Sequence, residues 1–220
     1  MTIDYLVSIL LPMLEGARAT IILFIIAIIA SIPLGFLLTL AVRSSIKPLS
    51  WLASSYIYVM RGTPLLLQLL FLVFGLPHIP GIGQYLVIDR FVAACLGFIL
   101  NYAAYFAEIF RGGLLAIDKG QYEASKVLGL NKIQTLVHIV LPQMFRIALP
   151  AVANESVTLV KDTALLYAVA VPELLHYAQT AVNRDFTIIP FVLAGIIYLL
   201  ITICLTFIFK WLERRLQYEL

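Results

Sequence analysis

Charge is scarce in this chain. Asp, Glu, Lys and Arg together make up 12% of its 220 residues, against 62% apolar, and only two residues are cysteine. A water-soluble domain carries about 25% charged residues, so this composition leaves too little to cover a solvated surface. Cys95 and Cys204 both fall within long apolar runs and read as buried thiols, not as a disulfide or a metal pair. The chain has no G-x-x-x-x-G-K-[ST] phosphate loop, no H-E-x-x-H and no G-x-S-x-G. Those absences exclude ATP hydrolysis by this chain and leave no nucleophile–base or metal machinery, so no catalytic or metal-binding residue is assigned.

What is present is a series of apolar stretches, each long enough for a helix of roughly 20 residues to cross the hydrocarbon of a bilayer. They cover residues 17–42, about 50–75, 91–117, 143–166 and 187–209. Barrel strands would alternate in polarity over about ten residues, whereas these runs are continuous. The expected fold is therefore an all-α integral membrane protein with five transmembrane helices, a single domain over residues 1–220. The first run is too long and too far from the start for a signal peptide, and no small-residue cleavage site follows it.

Basic residues set the orientation, because cytoplasmic loops are enriched in Lys and Arg. Arg43 and Lys47 lie in the first loop; Arg111, Lys119, Lys126, Lys132 and Arg146 lie in or beside the third; Lys210, Arg214 and Arg215 close the chain. Those ten share one side, while the other holds only Arg18, Arg90 and Arg184. The N-terminus is expected outside and the C-terminus in the cytoplasm. This asymmetry accounts for the net charge of +3 and calls for no nucleic-acid partner.

Residues 112–142 interrupt the apolar pattern with a polar, short-helix insertion on the cytoplasmic side. Gly120 to Leu128 reads as a two-turn helix with Ala124, Val127 and Leu128 on one face. Glu123 is placed in its first turn, where a carboxylate favours the positive end of the macrodipole. Gly129 stands where a left-handed cap is wanted. Asn131 can cap a second helix striped by Ile133, Leu136, Val137 and Val140, and Pro142 marks the turn into the fourth span. Such a segment is either an interfacial helix lying on lipid or a knob that inserts into a soluble partner. Asp118 and Glu123 weaken the first reading, but periodicity leaves the two open.

The segment GQYEASKVLGLNKIQTLVHIVLP closely resembles the EAA loop of ABC importer permeases, with Glu123, Ala124, Ser125, Gly129, Ile139, Leu141 and Pro142 in the pattern positions. Ser125 replaces the usual second alanine and keeps a small side chain. MRGTPLLLQL (60–69), AYFAEIFRGGL (104–114) and LPQMFRIALPAVANESVTLVKDTALL (141–166) narrow the resemblance to permeases of polar amino acid importers. It covers roughly residues 10–215. The resemblance implies the type I importer fold, with a coupling loop over 118–142 in which Gly120, Glu123, Ala124, Ser125, Leu128 and Gly129 meet the ATPase. It further implies a plasma or inner membrane location. The implied partners are a cytoplasmic ABC ATPase dimer, a second permease copy and an extracellular substrate-binding protein. ATP and Mg would sit on the ATPase, leaving no cofactor on this chain.

Polar groups inside spans are expensive, a central carboxylate costing roughly 2.5–3.5 kcal/mol on insertion scales, so each is a functional candidate. In the fourth span Asn154, Glu155, Thr158, Lys161 and Asp162 share one sector of about 120° at 100° per residue. Glu155 lies near mid-span, the depth at which transporters commonly hold substrate. We expect Glu155 to meet a substrate cation, oriented by Asn154 with Thr158 beside it. Because the resembling family accepts several polar residues at this position, an acid there points to arginine, lysine or histidine, with glutamine or glutamate as the alternative. The competing reading pairs Glu155 internally with Arg61, itself a substrate-side candidate. Lys161 and Asp162 are read as partners for other helices. Asp185 could attract a cation at the outer mouth, or be solvated beside Arg184.

Arg61, Gly62, Thr63 and Pro64 interrupt the second span, where Pro64 should kink the helix and Gly62 let another backbone approach. Gly62, Pro64, Leu65 and Leu66 are candidate gate residues; helix packing around a kink is the plainer alternative. Asn101, Tyr105, Glu108 and Gly112 stripe the third span, with Glu108 in reach of Arg111, as helix-to-helix glue. The loops about 76–90 and 167–186, the latter with a short helical pattern from Pro172 through Ala181, could meet a binding protein; His78 and His176 sit there singly.

The sequence therefore points to the permease subunit of an ATP-driven amino acid importer, not an enzyme. A stand-alone ion-coupled carrier is the rival, but five spans in 220 residues are few for that class. Five helices cannot both surround and seal a path, so a dimer is expected, a homodimer being simplest and a paralogous heterodimer possible.

Overall fold

A computed structural model describes residues 3–216, and among these all regular structure is helical, with no strand. Nine α-helices follow in order: α1 Ile3–Val42, α2 Lys47–Gly62, α3 Leu65–Leu70, α4 Arg90–Leu115, α5 Lys119–Val127, α6 Lys132–Gln134, α7 Leu141–Asp162, α8 Leu174–Asp185 and α9 Ile189–Leu216. Four continuous helical stretches are long and apolar enough to cross a bilayer, or five if α2 and α3 form one broken span. The first begins well before residue 17, because α1 runs 40 residues from Ile3.

α4 is the axis of the fold. Its hydrophobic stretch is 61% buried, whereas that of α9 is only 6% buried and faces outward. The reason is composition. Ala93, Ala94, Gly97, Ala103, Ala104 and Ala107 keep α4 slim on the sides that meet its neighbours, and small residues let apolar helices approach closely where lipid supplies no hydrophobic drive. At Gly35 of α1 an added Cβ would lie 2.8 Å from the Ala103 carbonyl oxygen and from Phe106 Cβ. One turn on, the buried Thr39 hydroxyl donates to Gly35 O and across to Ala107 O, both at 2.9 Å. Phe36, Phe110 and Phe145 then join α1, α4 and α7 through ring contacts 5.6–6.1 Å apart. Cys95 is buried in α4 as expected, but Cys204 is exposed on the outward face of α9.

Two stretches of π-helix have one cause. Phe71–Gly75 ends just before Leu76-Pro77, and Thr135–Val140 ends just before Leu141-Pro142. In each, the residue preceding proline donates five residues back, Leu76 to Phe71 O and Leu141 to Leu136 O. Widening the turn accommodates a residue that has no N–H and whose ring would crowd the preceding turn. Pro142 therefore marks no turn into the fourth span. α6, the π-turn and α7 form one helical stretch from Lys132, and the short helices of the insertion lead directly into the bundle.

The second span differs more. The sequence predicts a kinked helix over about 50–75; the structure has α2 and the stretch Leu65–His78 meeting at 104°. Thr63 (φ −119°, ψ 145°) and Pro64 (φ −62°, ψ 132°) are extended. Proline disfavours the helical region for the residue before it, so two consecutive extended residues turn a kink into a corner. Gly62 is not a point of close approach: nothing lies within 4 Å of where its Cβ would be.

α8, in what the sequence suggests is an external loop, packs against α1 and α9 with Leu174, Ala178 and Ala181 buried. Ala170 precedes it in the left-handed region (φ 54°). Glu173 caps α8, its carboxylate accepting from His176 N at 2.8 Å and from the Tyr198 hydroxyl at 2.8 Å, and it is fully buried. Burial pushes this carboxyl above its ordinary range, and its hydrogen bonds oppose that shift.

Candidate functional site

A corner at membrane depth exposes backbone carbonyls that hydrocarbon cannot satisfy. Here two amides do so. Gln68 Nε2 donates to Met60 O at 3.0 Å, Thr63 O at 3.2 Å and Thr63 Oγ1 at 2.7 Å. Asn101 of α4 donates from Nδ2 to Met60 O and to Gln68 Oε1, each at 3.0 Å. Tyr56 ties the preceding turn to α4 by donating to Leu100 O at 2.7 Å.

The corner forms one wall of a cavity of about 520 Å³. Arg61, Gly62, Thr63, Pro64, Leu65 and Leu66 line it from α2 and α3, Asn101, Tyr102 and Tyr105 from α4, and Glu155, Thr158, Asp162 and Leu165 from α7 and the turn after it. Residues far apart in sequence thus meet at one place, with a carboxylate on one wall and a guanidinium on another.

Partnerships inside the cavity divide these groups. Asp162 accepts from the Tyr102 hydroxyl at 2.7 Å, the interhelical role expected of it. Arg61 lies 3.8 Å from Glu108 and 5.4 Å from the centre of the Tyr105 ring. Glu108 is held in turn by Arg111, at 2.7–3.0 Å, as its spacing suggests. Among the described residues Glu155 forms no ion pair, so the expected alternative of an internal Arg61–Glu155 pair is not the observed arrangement.

Two of the expected site residues, Asn154 and Asp185, lie elsewhere. Asn154 faces a separate crevice against α9, with Thr206, Phe209 and Lys210, so it cannot orient a ligand at Glu155. The reason is angular: it sits about 100° around the helix from Glu155. Lys161, expected to partner another helix, is instead exposed, outside the cavity and in no ion pair among the described residues. Asp185 ends α8, where Arg184 binds it at 2.6 Å and holds its carboxyl below the usual range, and Tyr5 donates to it at 3.0 Å. Tyr102 and Gln68, unassigned in the sequence, are part of the site; their signal was a polar group at helical spacing, three residues before Tyr105 and four after Pro64.

The polar insertion is built as its capping residues dictate. Asp118 caps α5 by accepting from Gly120 N, and Glu123 lies beyond the first turn. Gly129 adopts φ 76°; Gly129 N donates to Lys126 O at 3.1 Å and Leu130 N to Ser125 O at 3.0 Å, the paired bonds of a Schellman ending. Asn131 and Gln134 form a reciprocal capping box. Ala124, Val127 and Leu128 are exposed, the last two at 88% and 76%, as are Glu123 and Gly129, while Gly120 is half-buried. Ser125 is buried, its hydroxyl donating to Gln121 O at 2.6 Å, so it braces α5 from within. Val140 is fully buried, while Ile133 and Val137 of the expected stripe are exposed.

Residues 31–218 match the family described as the binding-protein-dependent transport system inner membrane component. The chain belongs to this family. It is 38% identical over 205 residues to the arginine transport system permease protein ArtQ of Bacillus subtilis (strain 168), covering 93% of this chain and 92% of that one. It is 38% identical over 209 residues to the L-cystine transport system permease protein TcyB of the same organism, covering 94% and 87%. It is 34% identical over 206 residues to the glutamine transport system permease protein GlnP of Escherichia coli (strain K12), covering 93% of each. The crystal structure of an amino acid ABC transporter with histidines superposes with a TM-score of 0.87 at 32% identity, over 98% of this chain and all of that one. Inward facing conformations of the MetNI methionine ABC transporter share the fold, with a TM-score of 0.77 at 18% identity. This chain is thus a multi-pass membrane permease of the polar amino acid ABC importer type, a transport component and not an enzyme.

Proposed function

We propose that this permease moves a cationic amino acid through the cavity between the α2–α3 corner and α7. The observation that carries this is the Glu155 carboxylate, which lines the cavity without an ion-pair partner while the neighbouring Asp162 is engaged by Tyr102. A half-buried carboxylate with no ion-pair partner favours a ligand that brings a counter-charge. Thr158 offers a hydroxyl beside it, and Arg61, only loosely held by Glu108, offers a guanidinium to the ligand's carboxylate. Leu65 and Leu66 close the same wall and serve as the gate, with Gly62 and Pro64 setting the corner.

In this reading the N-terminus is extracellular and α5 cytoplasmic, and the exposed Ala124, Val127 and Leu128 dock into an ATPase subunit that hydrolyses ATP. A second copy of the chain closes the path, and an extracellular binding protein delivers substrate. The kinship with arginine, cystine and glutamine permeases supports the machinery; Glu155 supports the choice of a cation.

The test is Glu155→Gln in the reconstituted permease–ATPase complex, assayed for uptake of arginine against glutamine and for substrate-stimulated ATP hydrolysis. Arginine uptake should fall by at least about tenfold, the equivalent of roughly 1.4 kcal/mol, with ATP hydrolysis in the absence of substrate retained. An unchanged preference for arginine removes Glu155 as the selectivity element.

A further inference from the structure

A second large cavity, about 960 Å³, opens where the ends of α1 and α4 meet α5 and α6. The transport reading gives it no role. Its charged lining is of one sign: Arg43, Lys126 and Lys132 converge on it, no acidic residue lines it, and none of the three forms an ion pair among the described residues. Its remaining walls are mainly apolar, from Leu40, Leu114, Leu130 and Leu136, with the neutral Asn131 and Thr135 between them. Three cations over an apolar floor ask for an anion that carries a greasy part.

The surroundings specify which part goes where. Below Arg43, on one face of α1, Leu40 and Leu37 are 37% and 59% exposed, followed by an exposed Pro33. At spacings of three to four residues they form a continuous apolar strip leading from the basic mouth toward the middle of the span. Its upper end lies at the depth of the cytoplasmic headgroups in the orientation proposed above. Tyr122 stands at the rim, where an aromatic with a polar tip suits the interface.

We propose that this cavity binds the headgroup of an anionic phospholipid from the cytoplasmic leaflet, with its phosphate among Arg43, Lys126 and Lys132 and one acyl chain along Leu40 and Leu37. Lys126 belongs to α5 and Lys132 to α6, while Arg43 closes α1. The lipid therefore bridges the ATPase-facing insertion to the fixed end of the bundle.

Native mass spectrometry of the full-length chain in detergent tests this, with titration by phosphatidylglycerol, phosphatidylcholine or glycerol phosphate. One cation near an anionic headgroup is worth about fivefold in affinity, so three together give on the order of a hundredfold preference for phosphatidylglycerol. The R43Q/K126Q/K132Q variant should lose that preference, and R43K/K126R/K132R should keep it. K210Q/R214Q/R215Q, which removes as many cations from the same side but away from the cavity, should leave it unchanged. Equal binding of the two lipids, an equal loss in the control variant, or displacement by glycerol phosphate at matching affinity would overturn the proposal. So would retained phosphatidylglycerol binding in R43Q/K126Q/K132Q accompanied by loss of the co-purifying ATPase, which would make these cations a protein contact.

Discussion

Glu173 offers the sharpest test of how the bundle is held. It is fully buried, it caps α8, and it receives the Tyr198 hydroxyl from α9. Glu173→Ala removes the cap, worth about 1 kcal/mol. It also leaves a half-buried phenol without its carboxylate acceptor, at about 1–3 kcal/mol. Relief of the carboxyl's own desolvation returns part of this, so a net loss of roughly 2–4 kcal/mol is expected. In a chain of this size that corresponds to a fall of about 5–15 °C in Tm, readable by fluorescence-detected melting in detergent. Glu173→Gln keeps an oxygen for His176 N and places an amide beside the phenol, which then accepts, so it should stay within about 1 kcal/mol of the parent. If the two variants melt together, or alanine is neutral, the hydrogen bonds at Glu173 do not hold α8 to α9.

Three further outcomes follow from the geometry. Since burial raises the Glu173 carboxyl from its ordinary 4.5, its stabilising share is complete below that pH and is lost as pH rises through the raised value. The Tm difference between the parent and Glu173→Gln should therefore shift against the parent from about pH 5 to about pH 8, and a constant difference would contradict the assignment. Gly35→Ala drives a methyl to 2.8 Å from the α4 backbone and should abolish monodisperse folding in size-exclusion chromatography, whereas Gly195→Ala, with nothing within 4 Å, should be neutral or slightly stabilising. Gln68→Leu leaves Thr63 O without its donor and deprives Asn101 of one acceptor; at about 0.6 kcal/mol per lost bond the Tm should fall by only a few degrees. The same change should loosen the corner enough to speed labelling of Thr63→Cys, and unchanged labelling would show that Asn101 alone fixes it.

Much of this architecture was legible in the chain because lipid imposes one rule: apolar length. Runs of that length placed four of the helical stretches, and Gly129 and Asn131 marked the caps of the insertion because their side chains do local work. The corner was not legible, because a proline signals a break but not its angle; that depends on Thr63 also being extended and on Asn101 arriving from 33 residues beyond Gln68. Helical angles gathered Glu155, Thr158 and Asp162 onto one face but could not say where that face ends, and Asn154 fell beyond its edge. Glu173 was missed for a related reason. Its neighbours read as a short helical pattern within an external loop, and nothing local tells a solvated acid from one that α1 and α9 enclose.

The unbroken helical stretch from Lys132 through Pro142 to Asp162 has a mechanical consequence. About 23 residues separate its first turn from Glu155, roughly 35 Å at 1.5 Å each. Along a helical stretch of that length, a tilt of a few degrees at Lys132 swings Glu155 sideways by ångströms.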